Sequence, residues 1–66
     1  MTNRIKVERA ILNLTQEDLA NRISVSRQTI NAMEANKYVP STVLALKIAK
    51  LFGKPVEDIF ILEKTD

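Results

Sequence analysis

The side chains able to do chemistry gather in one stretch of the chain. Gln16, Ser26, Arg27, Gln28, Thr29, Asn31, Lys37, Tyr38 and Ser41 follow one another there, with Ala32 among them. They are amides, hydroxyls, cations and a phenol. Such groups donate and accept hydrogen bonds or hold anions; they are poor nucleophiles. The chain has no cysteine and no histidine. That removes thiol attack, imidazole proton transfer, disulfides and the usual zinc ligands. Its single glycine, Gly53, builds no phosphate-cradling loop. No acid–base pair stands with a nucleophile in a recognisable pocket. An enzyme is therefore not expected, and neither is a metal, a cofactor or a small-molecule ligand.

These residues need a scaffold, and 66 residues supply one domain, 1–66. A chain of this size buries only ~60% of the surface its unfolded form exposes. Without disulfides or metal, oligomerisation is the remaining external support. Charge is divided along the chain. Residues 1–54 carry nine Lys/Arg against four acids, and residues 55–66 carry Lys64 against four acids. One end is suited to a polyanion and the other is not. No apolar run is long enough to span a membrane and no signal-peptide core is evident, so a cytoplasmic protein is expected.

Helical punctuation dominates the pattern and predicts five helices. The first is expected over about Asn3–Asn13, with Ile5, Val7, Ile11 and Leu12 on its apolar side. Thr15 starts the second, and Asp18 three residues later makes a short capping box. Leu19, Ala20 and Ile23 form its buried face. Ser24-Val25-Ser26 is a tight connection, and Ser26 caps a third helix over 27–34. That helix turns Ile30 and Met33 inward and Arg27, Gln28, Asn31 and Ala32 the other way. Asn36 ends it in a left-handed conformation. Ser41 caps a fourth helix, whose apolar residues recur from Leu44 to Phe52, and Gly53 closes it. Pro55 opens a fifth, with Val56, Ile59 and Phe60 as its apolar face.

The second and third helices, within about 16–35, carry a specific geometry. Three residues join them, so they cross steeply. Ala20 gives clearance at closest approach, and Val25, Ile30 and Met33 fill the angle. This is the geometry of a helix-turn-helix, whose second helix enters the major groove of DNA. The segments Thr15-Gln16-Glu17-Asp18-Leu19-Ala20 and Val25-Ser26-Arg27-Gln28-Thr29-Ile30-Asn31, with Lys37-Tyr38 and Pro40-Ser41, resemble the Cro/phage-repressor (XRE) family. The remainder, Leu44 to Ala49 and Pro55 to Phe60, is similar to the family's short single-domain regulators of the cytolysin-repressor type. The resemblance spans nearly the whole chain. It implies an all-α, five-helix, lambda-repressor-like fold and a homodimeric transcriptional regulator, expected to repress, on a palindromic double-stranded DNA operator.

The same resemblance implies roles for individual residues. Gln16 contacts a phosphate and braces the glutamine of the recognition helix. Gln28 reads a base; its amide matches the N6 and N7 edge of adenine. Arg27 pairs with guanine or holds a phosphate. Asn31 touches a base or a phosphate, and Ala32 meets a thymine methyl or gives clearance. Ser26, Thr29 and Lys37 are expected along the DNA backbone; Tyr38 either joins Lys37 in clamping a phosphate or packs its ring on the core, and Ser41 caps its helix first and contacts a phosphate second. Arg9 and Glu34 form a structural salt bridge. The segment 55–66, through Val56, Ile59, Phe60, Ile61 and Leu62, is expected to dimerise.

Some positions depart from the family pattern. Asn13, Ser24 and Asn36 stand where relatives often have glycine, and Ser24 is the least suited to a positive φ. Glu8 stands where many relatives have leucine, with Val7 and Ile11 expected to fill the space. A protein-binding adaptor on the same scaffold is the rival function. It predicts an exposed apolar groove and sequence-blind DNA binding.

Overall fold

The computed structural model describes residues 1–66. Five helices appear in the expected order: α1 (Ile5–Ile11), α2 (Gln16–Arg22), α3 (Arg27–Glu34), α4 (Thr42–Phe52) and α5 (Val56–Ile59). Two short strands flank them, β1 (Thr2–Asn3) and β2 (Phe60–Ile61). They pair antiparallel, Thr2 with Ile61 and Asn3 with Phe60, so the two ends of the chain lie side by side.

Local chemistry accounts for most helix boundaries. The Thr15 hydroxyl accepts from the Asp18 amide at 3.0 Å, and the Asp18 carboxylate accepts from the Thr15 amide at 3.0 Å. This reciprocal box satisfies two donors that would otherwise be orphaned. Ser26 caps α3 through the Thr29 amide, and Ser41 caps α4 through the Leu44 amide, each at 3.2 Å. Asn13, Ser24 and Asn36 all take positive φ, near 60°, as does Gly53 at 66°.

Six side chains are fully buried: Ile5, Leu19, Ile30, Met33, Ile48 and Ile59. Every helix contributes at least one. Burying a side chain of this size is worth about 1.5–3 kcal/mol, so each is a sizeable share of a small domain's stability.

Three expectations are corrected. The first helix starts at Ile5, because Thr2 and Asn3 are extended and paired with β2. Phe60 leaves the fifth helix for the same reason. The buried stripe of α1 is Ile5 and Glu8, with Arg9 half-buried beside them. Val7 and Ile11 fall on an adjacent stripe, and Ile11 is 63% exposed. They do not replace a leucine at position 8. Instead Glu8 itself goes inside, 4% exposed, and Lys54 from beyond the end of α4 reaches it at 2.8 Å.

Candidate functional site

The expected reading edge lies open on one face of α3. Ile30 and Met33 anchor the helix in the core, and a helical turn of 100° per residue then sends Arg27, Gln28 and Asn31 outward. All three are exposed. Together with Gln16, at the start of α2, they line a shallow polar hollow of about 190 Å³ with no hydrophobic side chain in it. A second open hollow beside it is lined by Arg9, Thr15, Gln16, Glu17 and Arg27.

Gln16 is placed by a network. Its amide nitrogen donates to Asn31 Oδ1 at 3.3 Å and to Glu34 Oε1 at 3.2 Å. Glu34 in turn accepts Arg9 Nε at 2.9 Å and Arg9 Nη2 at 3.2 Å. The third guanidinium nitrogen donates to the Leu14 carbonyl at 2.8 Å. Arg9 therefore clamps α1, the α1–α2 turn and the end of α3, and hydrogen bonding to Glu34 raises its already high pKa further. The expected Arg9–Glu34 bridge is present, and it reaches further than expected, since it continues through Gln16 to the open face. The brace itself differs: Gln16 holds Asn31, where Gln28 was expected, because Asn31 lies one turn further along α3 and on the side toward Glu34.

The other expected contacts divide by position. The Ser26 and Thr29 hydroxyls lie 2.9 Å apart at the start of α3, both committed to the cap region. Ala32 is half-buried. Past the helix, the Lys37 amide donates to the Ala32 carbonyl at 2.9 Å, closing the end of α3. Lys37, Tyr38 and Ser41 are exposed on the segment that follows. Neither Arg27 nor Lys37 is engaged by a carboxylate, so both cations are free to meet an external anion.

The C-terminal end requires a correction. Ile59, the last residue of α5, is fully buried, and Phe60, the first of β2, is 8% exposed, because α5 packs against α4 and β2 folds back against β1. They are spent on this chain's own fold and cannot form most of a contact with a second copy. Val56 is half-buried, and Ile61 and Leu62 remain exposed. An apolar hollow of about 300 Å³ opens nearby, with Met1, Val39, Pro40, Leu46, Val56 and an edge of Phe60 among its lining. Val39, Val43 and Leu46 are exposed on the adjoining segment.

Two polar residues of consequence gave little signal in the sequence. Asn3 donates to the Met33 carbonyl at 2.7 Å, and Glu8 pairs with Lys54. Asn3 is an ordinary polar residue near the chain start. Glu8 is marked by standing where many relatives have leucine, three residues after Ile5 on the inward stripe, but nothing there points to Lys54.

Comparison with known proteins gives a consistent picture. A helix-turn-helix family profile matches residues 5–59. The chain is 62% identical over 63 residues, 96% of each chain, to an uncharacterised HTH-type transcriptional regulator of Methanocaldococcus jannaschii. It is 47% identical over 64 residues, 97% of each, to one of Bacillus subtilis. A crystal structure of a proposed DNA-binding protein from Bacteroides fragilis superposes with a TM-score of 0.78 at 33% identity, covering 88% of this chain and 94% of that one. No helix is long and apolar enough to cross a membrane.

Proposed function

The chain belongs to the helix-turn-helix, XRE/Cro-like family of transcriptional regulators, and from that premise we propose how it works. It is a sequence-specific DNA-binding regulator. It acts as a homodimer, and as a repressor, on a roughly palindromic operator. Helix α3 lies in the major groove with Arg27, Gln28 and Asn31 toward the bases. Gln16, Ser26, Thr29, Lys37, Tyr38 and Ser41 lie along the phosphates, with Ala32 at the groove wall.

One observation carries this reading: the outward edge of α3 is open and polar, with the Arg27 and Gln28 side chains unpaired and Asn31 engaged only by Gln16, although its other edge is fully committed to the core. A polar edge turned to solvent is ordinary for a surface helix; what distinguishes this one is its place as the second helix of a helix-turn-helix. Base recognition needs donors and acceptors held rigidly but left unsatisfied until they meet a base. The Arg9–Glu34–Gln16 network supplies rigidity from behind. The free cations Arg27 and Lys37 supply attraction to phosphate.

Dimerisation is supported by the apolar hollow near β2 and by the exposed Val39, Val43, Leu46, Ile61 and Leu62 around that end. A second copy meeting it there would set two α3 helices apart, each for one half-site; dimers of this kind span about 34 Å, one turn of DNA. The same hollow is also what a protein adaptor would use, so one experiment decides between them. Selection of bound sites from random duplex DNA should return a two-fold repeat with half-sites about one turn apart. Sedimentation should give a dimer at micromolar concentration, and transcription from a promoter overlapping the site should fall. Recovery of unenriched sequence would favour the adaptor and end the operator reading.

A further inference from the structure

We infer that Asn3, 24 residues or more from the reading edge in sequence, is a positioning residue for it, tying the exit of α3 to the sheet formed by the chain's two ends. This rests on the DNA-binding reading above. Asn3 stands in β1, where its backbone pairs with Phe60, and the next amide, Arg4, donates to the Ile59 carbonyl at 2.8 Å. Its side chain works in the other direction. Nδ2 donates to the Met33 carbonyl at 2.7 Å and to Asn36 Oδ1 at 3.3 Å, while Oδ1 accepts the Ile5 amide at 3.2 Å. Both donor hydrogens and the acceptor of one half-buried amide are therefore used, on three different parts of the chain.

The two atoms that Nδ2 holds define how the chain leaves α3. The Met33 carbonyl lies in the last turn and also accepts the Asn36 amide at 3.0 Å. Asn36, at φ 60°, is the left-handed residue that redirects the backbone to Lys37 and Tyr38. An ordered exit keeps these two at a fixed offset from Gln28 and Asn31, so bases and phosphates are met together. A contact constellation must be held to within about 0.5 Å to act as one. Released from Asn3, α3 would keep its buried anchors, Ile30 and Met33, and the Arg9 clamp on Glu34, but the residues beyond Glu34 would lose the side-chain tie at Asn36 and be left with backbone bonds such as Lys37 to Ala32.

The variant Asn3→Ala removes the tie and leaves the backbone pairing with Phe60. Asn3→Asp keeps the acceptor for Ile5, deletes the donor and sets a negative charge against the Met33 carbonyl. With circular dichroism showing each variant folded at 10 °C, operator affinity should fall about tenfold in both, the scale of one or two hydrogen bonds that set a geometry. Affinity of Asn3→Ala for random duplex should stay within about twofold, because no phosphate-binding cation is lost. Amide hydrogen exchange at Asn36 and Lys37 should quicken without any DNA present. Ile48→Val is the control: it lowers stability through the core and should leave operator affinity unchanged. Operator affinity within about twofold of wild type in Asn3→Ala, or unchanged exchange at Asn36 and Lys37, would overturn the inference while leaving the DNA-binding reading intact. A wild type that selects no operator would end that reading, and the exchange result would still report whether the tie exists.

Discussion

Lys54→Met should unmask the cost of the one buried acid. The Glu8 side chain is 5% exposed, and both its carboxylate oxygens lie 2.8 Å from Lys54 Nζ. At that distance the attraction is about 6 kcal/mol at an effective dielectric of about 20 and about 1.5 kcal/mol in bulk water. Lys54 is 42% exposed, so water screens the pair and the value falls in the lower half of that range. Removing the ammonium also leaves a desolvated carboxylate without a partner. We expect a loss of roughly 2–3 kcal/mol, out of a total of about 3–10 kcal/mol for a chain of this length. Glu8→Leu should behave differently, within about 1 kcal/mol of wild type or more stable, because it removes the buried charge and leaves Lys54 in water. The double variant should track Glu8→Leu, which gives a coupling of roughly 2 kcal/mol in the cycle. Urea unfolding followed by circular dichroism at pH 7 measures this, at one chain concentration because self-association adds stability. Lys54→Met within about 0.5 kcal/mol of wild type, the scale of an ordinary surface change, would refute the reasoning. So would a loss above about 2 kcal/mol in Glu8→Leu, since position 8 would then depend on the charge itself.

Other outcomes follow from the same structure. Ser24 holds φ 60° in the turn between α2 and α3; Ser24→Gly should relieve about 1–2 kcal/mol of backbone strain against about 0.4–1 kcal/mol for the freer unfolded chain, and so raise the melting temperature by a few degrees. Gln28→Ala should relax base preference, at ~1–3 kcal/mol per half-site, and Lys37→Ala should weaken all duplexes alike and lower the slope of log K against log salt by about one. Equal weakening of every sequence by Gln28→Ala would remove it from base reading. Hydrogen bonds from the Thr15 amide, then from the Thr15 hydroxyl, and the nearby Arg22 hold the Asp18 carboxyl below its ordinary 3.8. Because the folded pKa is the lower one, Asp18 stabilises the fold above about pH 4 and loses that contribution as pH falls through the folded value. The stability difference between wild type and Asp18→Ala, measured from pH 6 to pH 2, should be level above pH 5 and shrink below pH 4.

Features set by a few neighbouring residues were legible in the sequence. Thr15, Ser26 and Ser41 cap where expected because a cap involves only the next three residues. The outward edge of α3 was legible because Ile30 and Met33 fix its rotation. Asn36 was legible as a helix end, while Asn13 and Ser24 were legible only because relatives often have glycine there, and Ser24 adopts a conformation its side chain disfavours. Distant pairing was not legible. Nothing in Thr2-Asn3 or Phe60-Ile61 announces a strand, since each is two residues long and its partner lies at the other end of the chain. Lys54 lies 46 residues from Glu8, so the inward acid looked like a defect to be filled by Val7 and Ile11. The same gap hid the Gln16–Asn31 contact and assigned Ile59 and Phe60 to an outer surface. In each case a residue type suggested a role, and only the packing showed whether that side chain was already in use.

The pairing of Thr2 with Ile61 brings both ends of the chain to one corner of the molecule. Peptide added ahead of Met1 or behind Asp66 emerges there, beside the apolar hollow that Met1 helps to line. An affinity tag on either end would crowd that hollow, so tagged and cleaved protein should be compared before any stoichiometry is believed. The same proximity suits the chain to circular permutation: a short bridge joining the ends, with new termini opened in the exposed Lys37–Val39 loop, would test how much of the fold depends on chain order.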